Sequence, residues 1–282
     1  MNPKVAVIQL VSSAAVQSNL DAAARQIQAA AAAGASLLLL PENFAVLDGG
    51  PLAQFAETEG DTAALLQGFL RTQARMHKIW LVGGTLPLRN RPLQAGQLQP
   101  EFLGDGRVRP ASLVYNPQGE QVARYDKMHL FDVQVADKQA NYAESRSFEA
   151  GDRAICVDTP LGRVGLSICY DLRFPELYRR LLEQGAELLT VPSAFTQVTG
   201  AAHWEVLLRA RAIENQCYVL AANQGGVHNP TRETFGHSMI VDPWGRVLAR
   251  HEKGEGFAIA EIDLEELHAL RSRMPIQSHR RL

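Results

Sequence analysis

Cysteine is scarce in this 282-residue chain: three residues, at 156, 169 and 217, with no paired spacing. Such a set suggests neither a disulfide framework nor a zinc site, and a reducing cytoplasm is the simplest location. Long apolar runs are lacking too. No window approaches the roughly 18 apolar residues that a membrane helix needs. Met1-Asn2-Pro3-Lys4 passes straight into Val5-Ala6-Val7-Ile8-Gln9-Leu10, without the apolar region and cleavage site of a signal peptide. No membrane partner is expected. An excess of positive charge is also missing. Lys plus Arg total 28 against 30 for Asp plus Glu, so nucleic acid is a poor partner. No His-Glu-x-x-His, P-loop or Gly-x-Gly-x-x-Gly occurs, which leaves metalloprotease, nucleotide and dinucleotide readings unsupported.

What is present is an alternation of strand-like and helix-like stretches. Val5–Leu10 reads as a strand, Leu20–Ala33 as an Ala-rich helix stopped by Gly34, and Ser36–Pro41 as a buried strand. Thr62–His77 reads as a helix and Ile79–Gly83 as a strand, followed by a Gly/Pro/Gln-rich loop over Arg89–Pro110. Further on, Arg163–Ile168 and Glu187–Val191 read as strands, Glu176–Glu183 and Ala202–Asn215 as helices, and Phe257–Ile262 as the last strand. The chain also echoes itself. Leu113-Val114-Tyr115-Asn116-Pro117-Gln118-Gly119 resembles Met239-Ile240-Val241-Asp242-Pro243-Trp244-Gly245, and Leu40-Pro41-Glu42 resembles Val191-Pro192-Ser193. These echoes predict an α/β fold of two similar halves, with sheets face to face and helices outside. No low-complexity linker separates the halves, so one domain over 1–282 is expected, with a core of about 4–263 and a tail of 264–282.

The chemistry gathers at strand ends. An apolar run ends on Cys169, a polar segment Tyr170-Asp171-Leu172-Arg173 follows, and Pro175 opens a helix. A free cysteine is usually a small buried hydrophobe, and Cys156 and Cys217 fit that description. Cys169 differs, because the charged turn and nearby helix N-terminus favour a thiolate. The layout is similar to a nucleophile elbow, although Gly-x-Ser-x-Gly is absent. Glu42 directly follows Leu37-Leu38-Leu39-Leu40-Pro41. A carboxylate at the mouth of a buried strand can project into a cleft and act as general base on a thiol. Lys127, in Tyr125-Asp126-Lys127, supplies an ammonium. His129, His203 and His237 keep a Cys–His pairing open, with His203 the best placed.

Together these motifs resemble the nitrilase, or carbon–nitrogen hydrolase, superfamily. Its Glu–Lys–Cys triad matches Pro41-Glu42-Asn43, Tyr125-Asp126-Lys127-Met128-His129 and Cys169-Tyr170-Asp171-Leu172-Arg173-Phe174-Pro175-Glu176. The resemblance implies a four-layer α-β-β-α sandwich, usually a homodimer, and a thioester mechanism with no cofactor and no metal. Glu42 would be the base and Cys169 the nucleophile. Lys127 and the Tyr170 N–H would hold the oxyanion. Glu144 resembles the family's second glutamate and would orient Lys127 or the substrate. Pro192-Ser193-Ala194-Phe195, Thr199-Gly200 and the run 202–214 look like the deaminated glutathione amidase and ω-amidase branch, closer to the former. The implied substrate is a small carboxylate-bearing amide of a 2-oxo acid. Arg173, with Thr199, would grip its carboxylate, unless Arg173 pairs internally with Asp171 or Glu176. The loop Val227–Glu233 is where substrate discrimination is expected. A Cys–His hydrolase, a catalytically silent binding protein and a redox sensor remain the alternatives.

Overall fold

Residues 2–47, 50, 52–93 and 99–281 are described by a computed structural model. Residues 94–98, inside the expected Gly/Pro/Gln-rich loop, lie outside the described residues. The first strand, β1 (Lys4–Gln9), shows how the layers form. Val5 and Val7 enter one apolar cluster while Ala6 and Ile8 enter another, because successive side chains point to opposite faces. A strand buried on both faces sits inside a sandwich.

The remaining strands of the first half are β2 (Ala35–Leu39), β3 (Trp80–Val82), β4 (Leu86–Leu88), β5 (Arg109–Tyr115) and β6 (Gln121–Asp126). Two short strands follow, β7 (Asp132–Gln134) and β8 (Asn141–Ala143), paired only with each other. The second half contains β9 (Cys156–Thr159), β10 (Gly162–Leu166), β11 (Leu188–Ser193), β12 (Tyr218–Asn223), β13 (Ser238–Val241) and β14 (Val247–His251), then β15 (Gly256–Glu261). Helices α1 (Val16–Ala32) and α2 (Leu65–His77) carry the chain between β1, β2 and β3. Helices α3 (Pro175–Glu183) and α4 (Gln197–Asn215) do the same between β10, β11 and β12.

The expected echo is thus a repeat of topology. β1, β2 and β3 run parallel, as do β10, β11 and β12. Each trio continues into an antiparallel hairpin, β5–β6 in one sheet and β13–β14 in the other. β1 and β2 face β12 and β13, while α1 with α2 and α3 with α4 cover the outer faces, giving four layers, α-β-β-α. The last strand crosses over: β15 lies antiparallel to β1 and closes the first half's sheet.

Two boundaries move for physical reasons. α4 begins five residues before the expected Ala202, because Thr196 caps it by accepting from the Thr199 N–H at 3.2 Å. Gly200 lies inside the helix because a Cβ there would sit 2.2 Å from Phe235. The expected tail contains α5 (Leu264–Arg273), which buries Leu267 and Leu270. No described helix is long and apolar enough to cross a membrane.

Candidate active site

Glu42 is placed by the end of β2. Leu37–Leu40 are buried, and Leu40 makes the final sheet-like bond, donating to the Val82 carbonyl at 3.0 Å. Pro41 has no N–H to continue the ladder. Asn43 then turns left-handed at φ 56°, its N–H donating to Thr85 Oγ1 at 2.8 Å. Beneath this turn Gly84 passes so close that a Cβ would lie 2.0 Å from the Pro41 oxygen. From the opposite sheet, the buried Gln224 amide donates to the Glu42 carbonyl at 3.0 Å and to Ser12 Oγ at 2.9 Å. The backbone is clamped and the carboxyl group turns inward.

Lys127 follows β6. Its N–H donates to the Pro110 carbonyl, and its own carbonyl accepts from Gly151. The side chain is fully buried. Its Nζ donates to Glu42 Oε1 at 2.8 Å and to both Glu144 oxygens, at 3.0 and 2.8 Å. Burial works against this ammonium, but Glu144 and Glu42 outweigh it and hold its pKa well above the usual lysine value. Glu144, on the turn after β8, is fixed in turn by the Phe131 N–H, which donates to Oε2 at 2.8 Å.

Cys169 enters from the second sheet. The chain leaves β10 and forms a tight turn over Cys169–Arg173, with Cys169 itself left-handed at φ 48°. A non-glycine residue held there is strained and needs firm neighbours. Asp171 provides them. Its Oδ2 accepts from the Ile168 N–H at 2.8 Å and from the Tyr125 hydroxyl at 2.7 Å. Its Oδ1 accepts from the His129 N–H at 3.0 Å and lies 2.7 Å from His129 Nδ1. One buried carboxylate thus ties the nucleophile turn to both sides of Lys127.

The expectation of a thiolate does not hold for the resting site. Burial, seconded by the negative charge of Glu42, pushes the Cys169 pKa well above its usual value, against the pull of Lys127. A neutral thiol faces a carboxylate, a pair in which the carboxylate can accept the thiol proton as the sulfur forms a bond. The histidines weighed as rivals are engaged elsewhere. His129 bonds Asp171 and stacks on Phe174, the exposed His203 lies 3.2 Å from Arg173 Nη1, and His237 Nδ1 is 3.1 Å from the Phe235 carbonyl. None of the three lines the cavity at Cys169.

That cavity, about 30 Å³, is lined by Glu42, Glu144, Cys169, Arg173, Thr199 and Arg232 among others. Arg173 makes no ion pair with Asp171 or Glu176; its guanidinium lies 5.4 Å from the Phe195 ring centre and 5.8 Å from that of Tyr170. Thr199 stands in the first turn of α4, its N–H held by Thr196 and its hydroxyl 2.9 Å from Thr196 Oγ1, at the helix end whose dipole favours an anion. Among the described residues the Tyr170 N–H meets no acceptor. Sequence reasoning did not single out Asp171 or Gln224 as organisers, nor Arg232 within the loop it flagged. Asp171 stood inside the matched motif; Gln224 and Arg232 carry no local signal.

Comparison with known proteins identifies the family. The carbon–nitrogen hydrolase family pattern matches residues 4–272. The chain is 40% identical over 280 residues to the deaminated glutathione amidase of Yersinia enterocolitica, covering 99% of this chain and 93% of that protein. It is 43% identical over 279 residues to the Mus musculus deaminated glutathione amidase, covering 99% of this chain and 83% of the mouse protein. Among solved structures, a Saccharomyces cerevisiae member of branch 10 of the nitrilase superfamily matches with TM-score 0.85 and 31% identity, over 100% of this chain and 97% of that one. The NitFhit protein of Caenorhabditis elegans matches with TM-score 0.85 and 41% identity over all (100%) of this chain, which spans 66% of the nematode chain.

Proposed function

The chain belongs to the carbon–nitrogen hydrolase family, and on that footing we propose that it hydrolyses deaminated glutathione through a thioester on Cys169. Two lines of support converge: relatives bearing that amidase name align over nearly the whole chain, and one buried ammonium joins two carboxylates beside a buried thiol. The substrate is a 2-oxo acid joined through its side-chain amide to a dipeptide.

Glu42 takes the proton as Cys169 Sγ bonds to the amide carbon. The carbonyl oxygen becomes an oxyanion held by Lys127 Nζ and the Tyr170 N–H, each such donor worth about 3 kcal/mol. The C–N bond then breaks, and the proton on Glu42 passes to the departing amine. Water attacks the thioester while Glu42 takes one of its protons, the C–S bond breaks, and Glu42 returns that proton to the sulfur. Glu144 orients Lys127 throughout. Arg173 and Thr199 hold the acyl carboxylate.

We further propose a single catalytic domain working as a cytoplasmic homodimer. Three free cysteines support a reducing compartment. Val206, Ile213 and Trp244 are exposed apolar residues that support self-association. Sedimentation at micromolar concentration checks the mass, which for a dimer is twice 30.9 kDa.

The deciding assay compares product release from deaminated glutathione with that from the 2-oxo amides of glutamine and asparagine. At least a tenfold higher kcat/KM on deaminated glutathione is expected. Equal or better rates on the small amides overturn the substrate assignment, while leaving the reaction class in place.

A further inference from the structure

The cavity at Cys169 shares Arg232 with a wider groove of about 190 Å³, floored by Val198, Val227 and Pro230. Space beside the sulfur is small, and because Arg232 lines both cavities the groove can receive a leaving group larger than ammonia. This residue is firmly placed. Val227 and Glu233 form a bridge that closes its loop, and Asn229 Oδ1 accepts from the N–H groups of Thr231 and Arg232 at 2.7 and 2.8 Å.

Among the described residues it forms no ion pair. The guanidinium lies 4.9 Å from the Tyr142 ring centre and makes two long bonds, to the Ala194 carbonyl at 3.3 Å and Gln139 Oε1 at 3.4 Å. Its Nε is buried without a partner among the described residues. Arg91, half-buried like Arg232, pairs with Glu149, and the buried Arg124 and Arg211 pair with Asp126 and Glu214, all within 2.8 Å. Both carboxylates of the catalytic cavity are committed to Lys127. Of the two acids on the groove, Asp137 is occupied by the Gln139 and Ala140 N–H groups and the Tyr142 hydroxyl, and Glu233 is exposed. A partly dry guanidinium with spare donors is a ready carboxylate site. Arg173 is the second such cation, on the wall of Tyr170 and Phe195.

We propose that Arg232 binds the terminal carboxylate of the peptide-like leaving group, so that the site selects amides bearing a carboxylate at each end. This rests on the thioester amidase reading, and it adds that Arg173 and Arg232 divide the two carboxylates between them.

The test measures kcat/KM for the wild type, Arg232→Gln and Arg232→Lys on deaminated glutathione, its C-terminal carboxamide and 2-oxoglutaramate. The expected result is a loss in Arg232→Gln on deaminated glutathione at least ten times larger than on 2-oxoglutaramate, carried mainly by KM. Arg232→Lys is expected to recover part of it, and the carboxamide to be poor for the wild type and little changed by substitution. Equal losses on all three substrates, or none, overturn the proposal while the amidase reading stands. A wild type that cleaves 2-oxoglutaramate but not deaminated glutathione overturns both. Should Arg232→Gln fail to fold, the wild type decides alone: equal rates on deaminated glutathione and its carboxamide overturn the proposal.

Discussion

At Cys169 two demands oppose each other. Attack on an amide needs a thiolate, yet burial and the neighbouring Glu42 keep the sulfur protonated by raising its pKa well above the usual value. Keeping a general base within the same charge cluster resolves the conflict, since the proton leaves only as the S–C bond forms. Glu42→Gln is therefore expected to lower kcat by about 10³-fold, with no acyl-enzyme detected by intact mass. Burial, the larger cause, persists in that variant, so the thiolate fraction stays small below the raised pKa. Alkylation of Cys169 in Glu42→Gln should then still be climbing at pH 9; a plateau by pH 8 contradicts a buried neutral thiol. The Lys127 pKa is raised as well, and because its protonated form is the charged one, its charge persists across that range.

Elements meet at Asp171, which fastens the turn after β10 to the segment after β6. The two segments belong to different sheets, so no local rule holds Cys169 near Lys127. Asp171→Ala strands the buried Ile168 N–H and Tyr125 hydroxyl and the part-buried His129 N–H, at about 1–3 kcal/mol for an unsatisfied buried group. A stability loss of about 3 kcal/mol or more is expected by urea denaturation. Asp171→Asn, which keeps the shape, should lose less stability but still cut kcat by about tenfold or more. Wild-type kcat in both variants would remove Asp171 from the positioning of the site. Element existence was legible in the sequence because β1, β2 and the βαβ helices are long and apolar. The short strands β4, β7, β8 and β9 were not, since three or four residues carry too little periodicity. The early start of α4 includes Gly200, where close contact with Phe235 leaves no room for a side chain.

Across the whole molecule, charge pairs fasten the loop after β4 to the body. Arg91, helped by Arg109 and opposed by partial burial, lowers the Glu149 pKa from its usual 4.5 to about 2. A depressed carboxylate stabilises the fold above its unfolded pKa and loses that effect as pH falls through the folded value. Melting temperature should therefore drop as pH falls from 4.5 towards about 2. Glu149→Gln should be less stable than the wild type at pH 7 and converge with it near the acid end. A constant gap between the two at every pH would mean that Glu149 acts through packing and not through its charge. The crossover of β15 to β1 also belongs to this scale: it joins the C-terminal segment to the first half's sheet.

By itself the sequence determined the alternation of elements and the echo between halves. It marked Glu42, Lys127 and Cys169 as candidates because reactive side chains that follow strand ends leave a local signature, while Glu144 entered only through the resemblance to the carbon–nitrogen hydrolase family. The protonation of Cys169, the organising role of Asp171, the Gln224 clamp and the unpaired guanidinium of Arg232 were decided only by tertiary structure. Each depends on which groups meet across two sheets and on how little water remains between them, and neither is written in the order of residues along one strand.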